Sequence, residues 1–436
     1  MYQDITSLPV AVLGAGPVGL AAAAHLLERG LRPLILEAGE TVGANLASYR
    51  HVRLFSPWRY NTDKAALALL EAAGWRAPDP ETLPTAGELL DAYLAPLAAL
   101  PALAGKLHLG HRVSAIGRAG IDKVKTRGRE QAPFLVRALT RGGVREFLAQ
   151  AVIDATGTWS TPNPLGANGL AAEGEDLFAG RIAYGMPDVL GAARERYLGK
   201  RVLVAGAGHS AAGTLLALAE LAAASPAMRI VWVTRGGKLA RVFGGGAADG
   251  LPARGQLGAR LRGLLDAGRL ELHERFAIRA LSACDGRIVV HGQEAVIEGV
   301  DEIVCATGAR PDLALTRELR VRHDPWLEST DALAPLIDPN EHSCGTVRPH
   351  GHRELAHPEP GYYAIGAKSY GRAPNFLLAT GYEQARSVVA ALAGDLAAAD
   401  EVRLELPETG VCNTRSGYQQ PATSCCTVKA ADAAFC

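Results

Sequence analysis

Residues 10–19 read VAVLGAGPVG, an apolar run of four residues that passes directly into a glycine-rich turn. An alanine- and leucine-rich segment follows, stops at Gly30 and is succeeded by a second apolar run. A G-x-G-x-x-G turn between a strand and a helix is the fingerprint of a dinucleotide-binding unit. The order predicts a strand over Val10–Leu13, a helix over Leu20–Arg29 and a second strand over Pro33–Glu37.

The residues of this turn have separate physical tasks. Gly14 permits the tight turn, Gly16 lets a pyrophosphate approach the backbone, and Gly19 lets the helix pack on its strand. The turn, which includes Pro17, opens a helix whose N-terminal N–H groups suit a phosphate. Glu37 ends the next strand, where a carboxylate accepts hydrogen bonds from ribose hydroxyls and repels a 2′-phosphate, which favours FAD or NAD. The alternative is a turn needed only for packing.

A second strand-turn-helix unit lies near the middle of the chain, where residues 201–213 read RVLVAGAGHSAAG. It repeats the first two glycines, Gly206 and Gly208, and has alanine in place of the third, which is an accepted variant. His209 and Ser210 follow in the same turn. We expect these four residues to contact a second cofactor.

The end of the next strand distinguishes the second unit from the first. After a helix over Thr214–Ala224, the strand over Ile230–Val233 ends in Thr234 and Arg235, with no acidic residue. A guanidinium at the ribose position suits a 2′-phosphate, so this unit is predicted to bind NADPH. The alternative for Arg235 is a solvated surface arginine.

Each unit is followed by short alternating segments typical of a β-meander, and then by an apolar strand that ends in Ala-Thr-Gly. These two strands are predicted over Ala151–Gly157 and Glu302–Gly308. A further strand over Tyr362–Gly366 and a helix over Pro374–Gly394 come after the second unit. The pattern predicts an α/β protein with two doubly wound, Rossmann-like dinucleotide-binding domains, one inserted into the other.

The insertion makes the first domain discontinuous. We expect an FAD-binding domain over residues 1–190 and 325–398, and an NADPH-binding domain over residues 196–320. Beyond about Ala398 the helical periodicity gives way to Pro, Gly, Ser and Cys, which predicts a cysteine-containing C-terminal tail over residues 399–436.

Composition limits the partners. Lys plus Arg and Asp plus Glu number 45 each, so the net charge indicates neither nucleic acid nor an anionic membrane as a partner. The N-terminus lacks a signal-peptide pattern and the most apolar helix is interrupted by Glu220, which favours a cytoplasmic protein that acts on a small molecule. The seven cysteines fit free thiols better than a disulfide framework, and no regular zinc-ligand spacing occurs, so no metal site is predicted.

These features together resemble the class B flavin-dependent monooxygenases, over Val10–Gly394. The resemblance implies FAD at the first fingerprint and NADPH in the inserted domain, with the two Ala-Thr-Gly strand ends near the cofactors. The residues concerned are Thr156, Gly157, Thr307 and Gly308.

Two further segments extend this resemblance. Residues 53–61, RLFSPWRYN, are similar to a stretch that lines the flavin, which implies contacts from Phe55 and Ser56; an aromatic core loop is the alternative. A later segment, YAIGAK, resembles the closing FAD motif and implies contacts from Gly366 and Lys368. The candidates for positioning groups near the reacting ring are Asn61, Ser210 and Lys368.

Three late segments, at residues 342–351, 368–374 and 406–412, resemble flavoproteins of bacterial arsenic-resistance operons, which are related to N-hydroxylating monooxygenases. This resemblance implies oxidation of a trivalent arsenical or antimonial, such as methylarsenite, antimonite or arsenite, to a pentavalent species with NADPH and O2. Because a flavin supplies such chemistry, no obligatory acid-base residue need be visible in the sequence.

Four cysteines are candidates for binding such a substrate, because soft thiolates favour a soft trivalent metalloid. They are Cys344, Cys412, Cys425 and Cys426. The alternative is that they are ordinary free cysteines in a permissive tail.

Other functions remain open. No Cys-x-x-Cys pair occurs in the chain, which disfavours electron transfer through a redox-active dithiol. The adjacent Cys425 and Cys426 leave that function open. The alternatives are an N-hydroxylating monooxygenase of an amine, an NADPH-dependent disulfide or quinone reductase, and a non-catalytic metalloid binder. The oligomeric state is not predicted.

Overall fold

The computed structural model describes residues 5–237, 239–244, 252–342, 350–374 and 376–404. Within these ranges the chain forms two five-stranded parallel sheets and two three-stranded antiparallel sheets, with helices packed against the parallel sheets. The predicted α/β fold with two Rossmann-like units is confirmed.

The first parallel sheet carries the N-terminal fingerprint. Its strands are β1 (Val10–Leu13), β2 (Pro33–Leu36), β3 (Leu107–His108), β7 (Ala151–Asp154) and β16 (Tyr362–Ala364). They lie in the order β16-β7-β1-β2-β3. Every residue of β1 and β7 is buried, as expected for central parallel strands that are covered on both faces.

The second parallel sheet carries the second glycine turn. Its strands are β8 (Ile182–Tyr184), β9 (Arg201–Ala205), β10 (Arg229–Val233), β11 (Glu271–His273) and β15 (Glu302–Cys305). Their order is β11-β10-β9-β15-β8, so β9 lies at the centre, as β1 does in the first sheet. Both Ala-Thr-Gly strands, β7 and β15, pair directly with the fingerprint strand of their own unit.

Each unit also has an antiparallel meander, which confirms the interpretation of the alternating segments. One meander has the strand order β4-β5-β6 and the other β12-β13-β14. The strands are β4 (Arg112–Arg118), β5 (Phe134–Thr140), β6 (Gly143–Ala149), β12 (Ala280–Cys284), β13 (Arg287–His291) and β14 (Val296–Val300).

The helices that follow the glycine turns begin inside those turns, earlier than predicted, because the turns themselves supply the N-caps. The last long helix begins at Leu378, later than the predicted Pro374. The helices are α1 (Pro17–Glu28), α2 (Ala44–Ala47), α3 (Lys64–Ala72), α4 (Ala86–Leu89), α5 (Ala95–Ala99), α6 (Pro101–Ala104), α7 (Arg194–Tyr197), α8 (His209–Ala223), α9 (Ala240–Phe243), α10 (Pro252–Asp266), α11 (Ala334–Ile337), α12 (Leu378–Leu392) and α13 (Leu396–Asp400).

Two predicted boundaries are wrong in detail. β8 lies inside residues 1–190, predicted to belong to the FAD-binding domain, yet it pairs with β15 in the second sheet. The reason is burial, since Ile182 packs in the same apolar cluster as Leu203 of β9. The predicted tail start at residue 399 falls inside α13, which Asp395 caps by accepting a hydrogen bond from the Ala398 N–H.

The position of α1 fixes the first glycine turn. Its alanines Ala21 and Ala24 are fully buried, and their small side chains let α3 and α12 pack closely against the helix. The N-terminus of α1 therefore stands at the carboxyl edge of β1, where nucleotides bind in doubly wound folds.

Candidate functional site

Two glycines of the first turn are required by packing. Gly14 has a φ of +93°, a left-handed conformation that favours glycine, and a Cβ there would lie 2.9 Å from the Ala155 carbonyl oxygen. A Cβ on Gly19 would lie 2.0 Å from the Gly14 carbonyl oxygen. Side chains at either position would push α1 away from the strands.

The middle glycine of the turn faces open space instead. A Cβ on Gly16 would meet no described atom within 4 Å, and Gly16 is the N-cap of α1 with no side chain capping the helix. The orphan N–H groups and positive dipole end of α1 are therefore available at an open surface, which fits a pyrophosphate group. Pro17 occupies the first helical position, where its missing N–H costs nothing.

The Glu37 carboxylate lies beside this turn. One of its oxygens accepts a hydrogen bond from the Ala15 N–H at 2.6 Å, and the other accepts one from the Gly39 N–H at 2.7 Å. The side chain is buried, so two backbone N–H groups hold the carboxylate at the carboxyl edge of β2. Each oxygen retains a lone pair for a ribose hydroxyl.

The second turn repeats this division of tasks. Gly206 has a φ of +139°, and a Cβ there would lie 2.3 Å from the Ala306 carbonyl oxygen. Gly208 is the N-cap of α8, again without a side-chain cap, and a Cβ on it would meet no described atom within 4 Å. The second turn thus offers a second open helix N-terminus with the features that suit a pyrophosphate.

Thr234 and Arg235 follow β10 at the carboxyl edge of the second sheet. The Thr234 hydroxyl donates to the Gly236 carbonyl at 2.8 Å, which closes the loop locally. The exposed Arg235 guanidinium donates to the Ala167 carbonyl at 3.0 Å through one nitrogen. A guanidinium has five N–H donors, so most of the Arg235 donors remain available to a ligand.

A cavity of about 980 Å³ lies between the two glycine turns. Pro17 at the start of α1 and Ser210 at the start of α8 both line it, and most of the wall is apolar. A mainly apolar cavity excludes water and strengthens electrostatic interactions inside it. Charged side chains also reach the wall; they are Arg53, Asp188, Glu220, Arg254 and Arg260.

The loop over residues 53–61 joins the two units at this cavity. Phe55, Ser56 and Asn61 line the wall, and the Phe55 ring meets the His209 ring edge-on, with 5.3 Å between centroids. The buried Asn61 amide donates to the Ser56 carbonyl and accepts from the Ser56 hydroxyl. The structure therefore brings Asn61 and Ser210 to one cavity, and Ser56 holds the Asn61 amide in place.

Lys368 has a different environment from the one predicted. Its ammonium lies 2.7 Å from an Asp154 carboxylate oxygen and donates to the Thr156 hydroxyl at 3.0 Å. Both members of the ion pair are almost completely buried, and Lys368 is not among the cavity-lining residues. Burial and the adjacent Asp154 charge raise the pKa of Tyr362, whose hydroxyl donates to the same carboxylate. Lys368 thus joins β7 to the segment after β16, and its contact with the flavin stays a prediction.

The remaining predicted residues lie at the strand ends. Gly157, Gly308 and Gly366 all have positive φ, so each turns the chain sharply after its strand. The Thr307 hydroxyl donates to the Asn163 carbonyl at 3.1 Å. A Cβ on Gly366 would lie 3.3 Å from the Val18 side chain, which places the closing motif against α1.

The sequence analysis did not identify three buried polar residues that contact the predicted site residues. Asp154 anchors Thr156 and Lys368, while the Gln384 side chain accepts from the Gly366 N–H at 2.7 Å. The Tyr382 hydroxyl donates to the Asn61 carbonyl at 2.8 Å. An acidic residue at the end of an apolar strand was a usable signal for Asp154, whereas the other two lie on a helix with no local signature.

The four candidate substrate-binding cysteines, Cys344, Cys412, Cys425 and Cys426, lie outside the described residues. Within the described residues two free cysteines occur, Cys284 exposed on β12 and Cys305 buried on β15. Burial raises the pKa of the Cys305 thiol to about 11, so this thiol is not a reactive thiolate near neutral pH.

The N-terminal part of the chain matches a known protein family. Residues 9–82 match the family described as DAO, FAD dependent oxidoreductase, which covers the first glycine turn, Glu37 and the loop over residues 53–61. Over these residues the first nucleotide unit is similar to that of FAD-dependent oxidoreductases. The predictions of FAD as a cofactor and of an oxidoreductase are confirmed. A search of curated proteins found no significant match.

Solved structures share the fold over nearly the whole chain. The bacillithiol disulfide reductase Bdr (YpdA) from Bacillus cereus has a TM-score of 0.66 at 17% identity, covering 89% of this chain and 99% of its own. The FAD-bound cadaverine monooxygenase DfoA from Erwinia amylovora has 0.62 at 14%, covering 95% and 99%. The Kutzneria ornithine N-hydroxylase KtzI, with reduced FAD, NADP+ and L-ornithine, has 0.60 at 18%, covering 88% and 98%. These likenesses establish the two-unit fold.

No helix of the described residues has both the length and the apolar character that a bilayer crossing requires.

Proposed function

We propose that this protein is an FAD- and NADPH-dependent monooxygenase. The observation that carries the proposal is the cavity between the two open glycine turns, to which both units contribute residues. A hydride donor on one turn and a flavin on the other would approach each other across this space. The mainly apolar wall supplies the water-poor environment that oxygen transfer to a substrate requires.

The chain's own residues would hold the cofactors as follows. Gly16 and the N-terminus of α1 would bind the FAD pyrophosphate, with Glu37 accepting from the ribose. Gly208 and the N-terminus of α8 would bind the NADPH pyrophosphate, with Arg235 at the 2′-phosphate. When bound, the flavin supplies the redox chemistry, and the protein positions it and excludes water.

The proposal also assigns the units. The sheet built on β1 would be the FAD-binding domain, and the sheet built on β9, including β8, the NADPH-binding domain. The closing segment around Gly366 would return the chain to FAD. Asn61 and Ser210, which reach the same cavity from different units, would orient the reacting groups.

For the substrate we propose a trivalent arsenical or antimonial. In the balanced reaction, RAs(OH)2, O2, NADPH and a proton yield RAsO(OH)2, NADP+ and water, so one oxygen atom reaches arsenic and the other is reduced to water. The support is chemical: Cys344, Cys412 and the Cys425–Cys426 pair would offer the soft thiolates that a trivalent metalloid favours.

A second candidate is N-hydroxylation of an amine, because the cavity wall includes the carboxylates of Asp188 and Glu220. An ammonium-bearing substrate would have these two acidic residues to pair with, beside the three arginines on the same wall. DfoA and KtzI, named for reactions on cadaverine and ornithine, share the fold. Disulfide reduction is the third candidate, since Bdr is a structural neighbour.

One experiment separates these candidates. Anaerobic stopped-flow mixing of the yellow protein with NADPH measures flavin reduction, and O2 consumption is then followed with methylarsenite, antimonite, arsenite, cadaverine, ornithine and a low-molecular-weight disulfide. We expect O2 uptake in step with formation of a pentavalent product from a metalloid. Disulfide reduction without O2 uptake would contradict the monooxygenase proposal, and turnover with amines alone would contradict the metalloid substrate.

A further inference from the structure

The carboxyl edge of the second sheet places two arginines in matching positions. β10 and β11 pair in parallel with Val233 opposite His273. The pairing continues past the strands, because the Thr234 N–H donates to the His273 carbonyl and the Phe276 N–H donates to the Thr234 carbonyl, each at 3.0 Å. Arg235 and Arg275 therefore each stand two residues beyond their strand, on neighbouring chains at one edge.

Arg275 has an unusual backbone conformation. Its φ is +55°, in the left-handed region, and it is one of three non-glycine residues with positive φ in the described residues. A long side chain is disfavoured there, and glycine or asparagine would be the ordinary choice. Strain of this kind persists where a particular side chain is needed, so it suggests a task for the arginine.

Gly237 accommodates the Arg275 side chain. A Cβ on Gly237 would lie 2.8 Å from the Arg275 Nε and 3.5 Å from its Cζ. The guanidinium therefore lies directly against the backbone of the loop that follows β10, two residues beyond Arg235. A side chain at residue 237 would occupy this space, so the Arg275 guanidinium would have to move away.

The charges at this edge are suited to an anion. Arg275 is exposed, and across the described residues no hydrogen bond or ion pair engages its guanidinium. Arg235 gives a single hydrogen bond to a backbone carbonyl. The neighbouring carboxylate of Glu271 is already held by Arg201 and His273, and among the described residues Glu274 forms no ion pair with either arginine.

We infer that Arg275 and Arg235 together bind the 2′-phosphate of NADPH, so that Arg275 is a specificity-determining residue supplied by the segment after β11 rather than by the loop after β10. The inference rests on the proposed binding of NADPH to the second unit. A phosphate monoester carries nearly two negative charges at neutral pH, and two guanidinium groups match that charge and geometry. Neither the family match nor the sequence pattern points to this residue.

The test measures binding by calorimetry, with FAD-loaded protein and two probes, adenosine 2′,5′-bisphosphate and 5′-AMP. Arg275→Ala should weaken binding of the bisphosphate about tenfold or more, as loss of a charge-assisted hydrogen bond does, and leave 5′-AMP binding within about twofold. Arg269→Ala is the matched control, because Arg269 is an exposed arginine two residues before the same strand, at the opposite edge of the sheet. It should leave both affinities unchanged.

A glycine variant separates binding from folding. Arg275→Gly removes the side chain where glycine suits the backbone, so this variant should unfold at a temperature no lower than the wild type and still lose the bisphosphate affinity. Unchanged bisphosphate binding in Arg275→Gly or Arg275→Ala, with a loss in Arg235→Ala, would overturn the inference and leave the NADPH assignment intact. Equal binding of both probes by the wild type would overturn the NADPH assignment itself.

Discussion

The glycines of the first turn illustrate how one residue type serves packing at one position and ligand access at the next. Gly19 is fixed by a backbone oxygen 2.0 Å from the site of a Cβ, whereas Gly16 has open space within 4 Å among the described atoms. A substitution at Gly19 therefore affects folding. A substitution at Gly16 fills the space that the pyrophosphate needs.

We predict that Gly16→Val yields a folded protein without FAD. The added side chain meets no described atom but occupies the approach to the N-terminus of α1. The measurement is the flavin absorbance per mole of purified protein, with circular dichroism as the check on folding. Gly105→Val, at an equally open glycine that follows α6, is the control and should retain flavin. A yellow Gly16→Val protein with full FAD content would contradict the assignment of this turn.

A buried histidine gives a prediction about pH. Burial, and then the charge of the neighbouring His323, lower the pKa of His357 from 6.5 to about 4. The unfolded chain therefore binds a proton at His357 at a higher pH than the folded chain does. Stability is retained above about pH 6.5 and is lost as the pH falls toward 4, by up to about 3 kcal/mol for this residue.

The test compares the free energy of unfolding of the wild type and His357→Asn between pH 7 and pH 4.5. Asparagine can still accept the hydrogen bond that the Arg322 N–H donates to the His357 Nδ1. The variant should lose stability less steeply as the pH falls. Parallel curves for the two proteins would show that His357 does not contribute to the pH dependence.

At the scale of elements, local sequence predicted the strands better than the contacts between their ends. Apolar runs followed by glycine turns identified β1 with correct bounds and located β9 directly before Gly206, because burial of whole parallel strands leaves a continuous apolar signal. The ion pair between Asp154 and Lys368 joins residues more than 200 positions apart. No local pattern encodes such a pair, so the sequence did not predict that the Asp154 carboxylate lies against the Lys368 ammonium.

This pair is expected to stabilise the joint between β7 and the segment after β16. Lys368→Met leaves the buried Asp154 carboxylate without its counter-charge and should cost about 3 to 5 kcal/mol of unfolding free energy. The double variant Asp154→Asn with Lys368→Met removes both charges and should recover part of that loss. Chemical denaturation measures both, and the rate of flavin reduction by NADPH is measured alongside. Wild-type stability combined with slow flavin reduction in Lys368→Met would instead support the predicted role at the ring.

At the scale of the whole molecule, the two units repeat one design and differ where they meet the ribose. The sequence predicted the repeat, the insertion and both turns, since each is a local strand-turn-helix pattern. The cavity could not be predicted, because Pro17, Ser56 and Ser210 converge only when the units are packed together. The position of β8 could not be predicted either, because a strand of three residues is too short for its sequence to indicate which sheet it joins.

The proposed metalloid site concerns the whole molecule, because it would join the C-terminal segment to the cavity. The Arg403 N–H donates to the Glu383 carboxylate on α12, and Leu378 at the start of that helix lines the cavity. Five residues of helix span only about 8 Å. Cys412 follows Arg403 by nine residues, and nine extended residues reach at most about 30 Å. Chain length therefore permits Cys412, and the later Cys425 and Cys426, to reach the cavity.

We therefore predict that a chain ending at Glu405 keeps its FAD and its basal reduction by NADPH but loses metalloid-dependent NADPH oxidation. The combined Cys344→Ser and Cys412→Ser variant should behave in the same way, because a trivalent metalloid favours several thiolates at once. Cys284→Ser is the matched control, since this exposed thiol lies on β12, outside the residues that line the cavity, and its loss should leave turnover unchanged. The measurement is NADPH consumption with methylarsenite, antimonite and arsenite at fixed FAD content. Full metalloid turnover by the shortened chain would remove the tail cysteines from the mechanism while leaving the two cofactor assignments untouched.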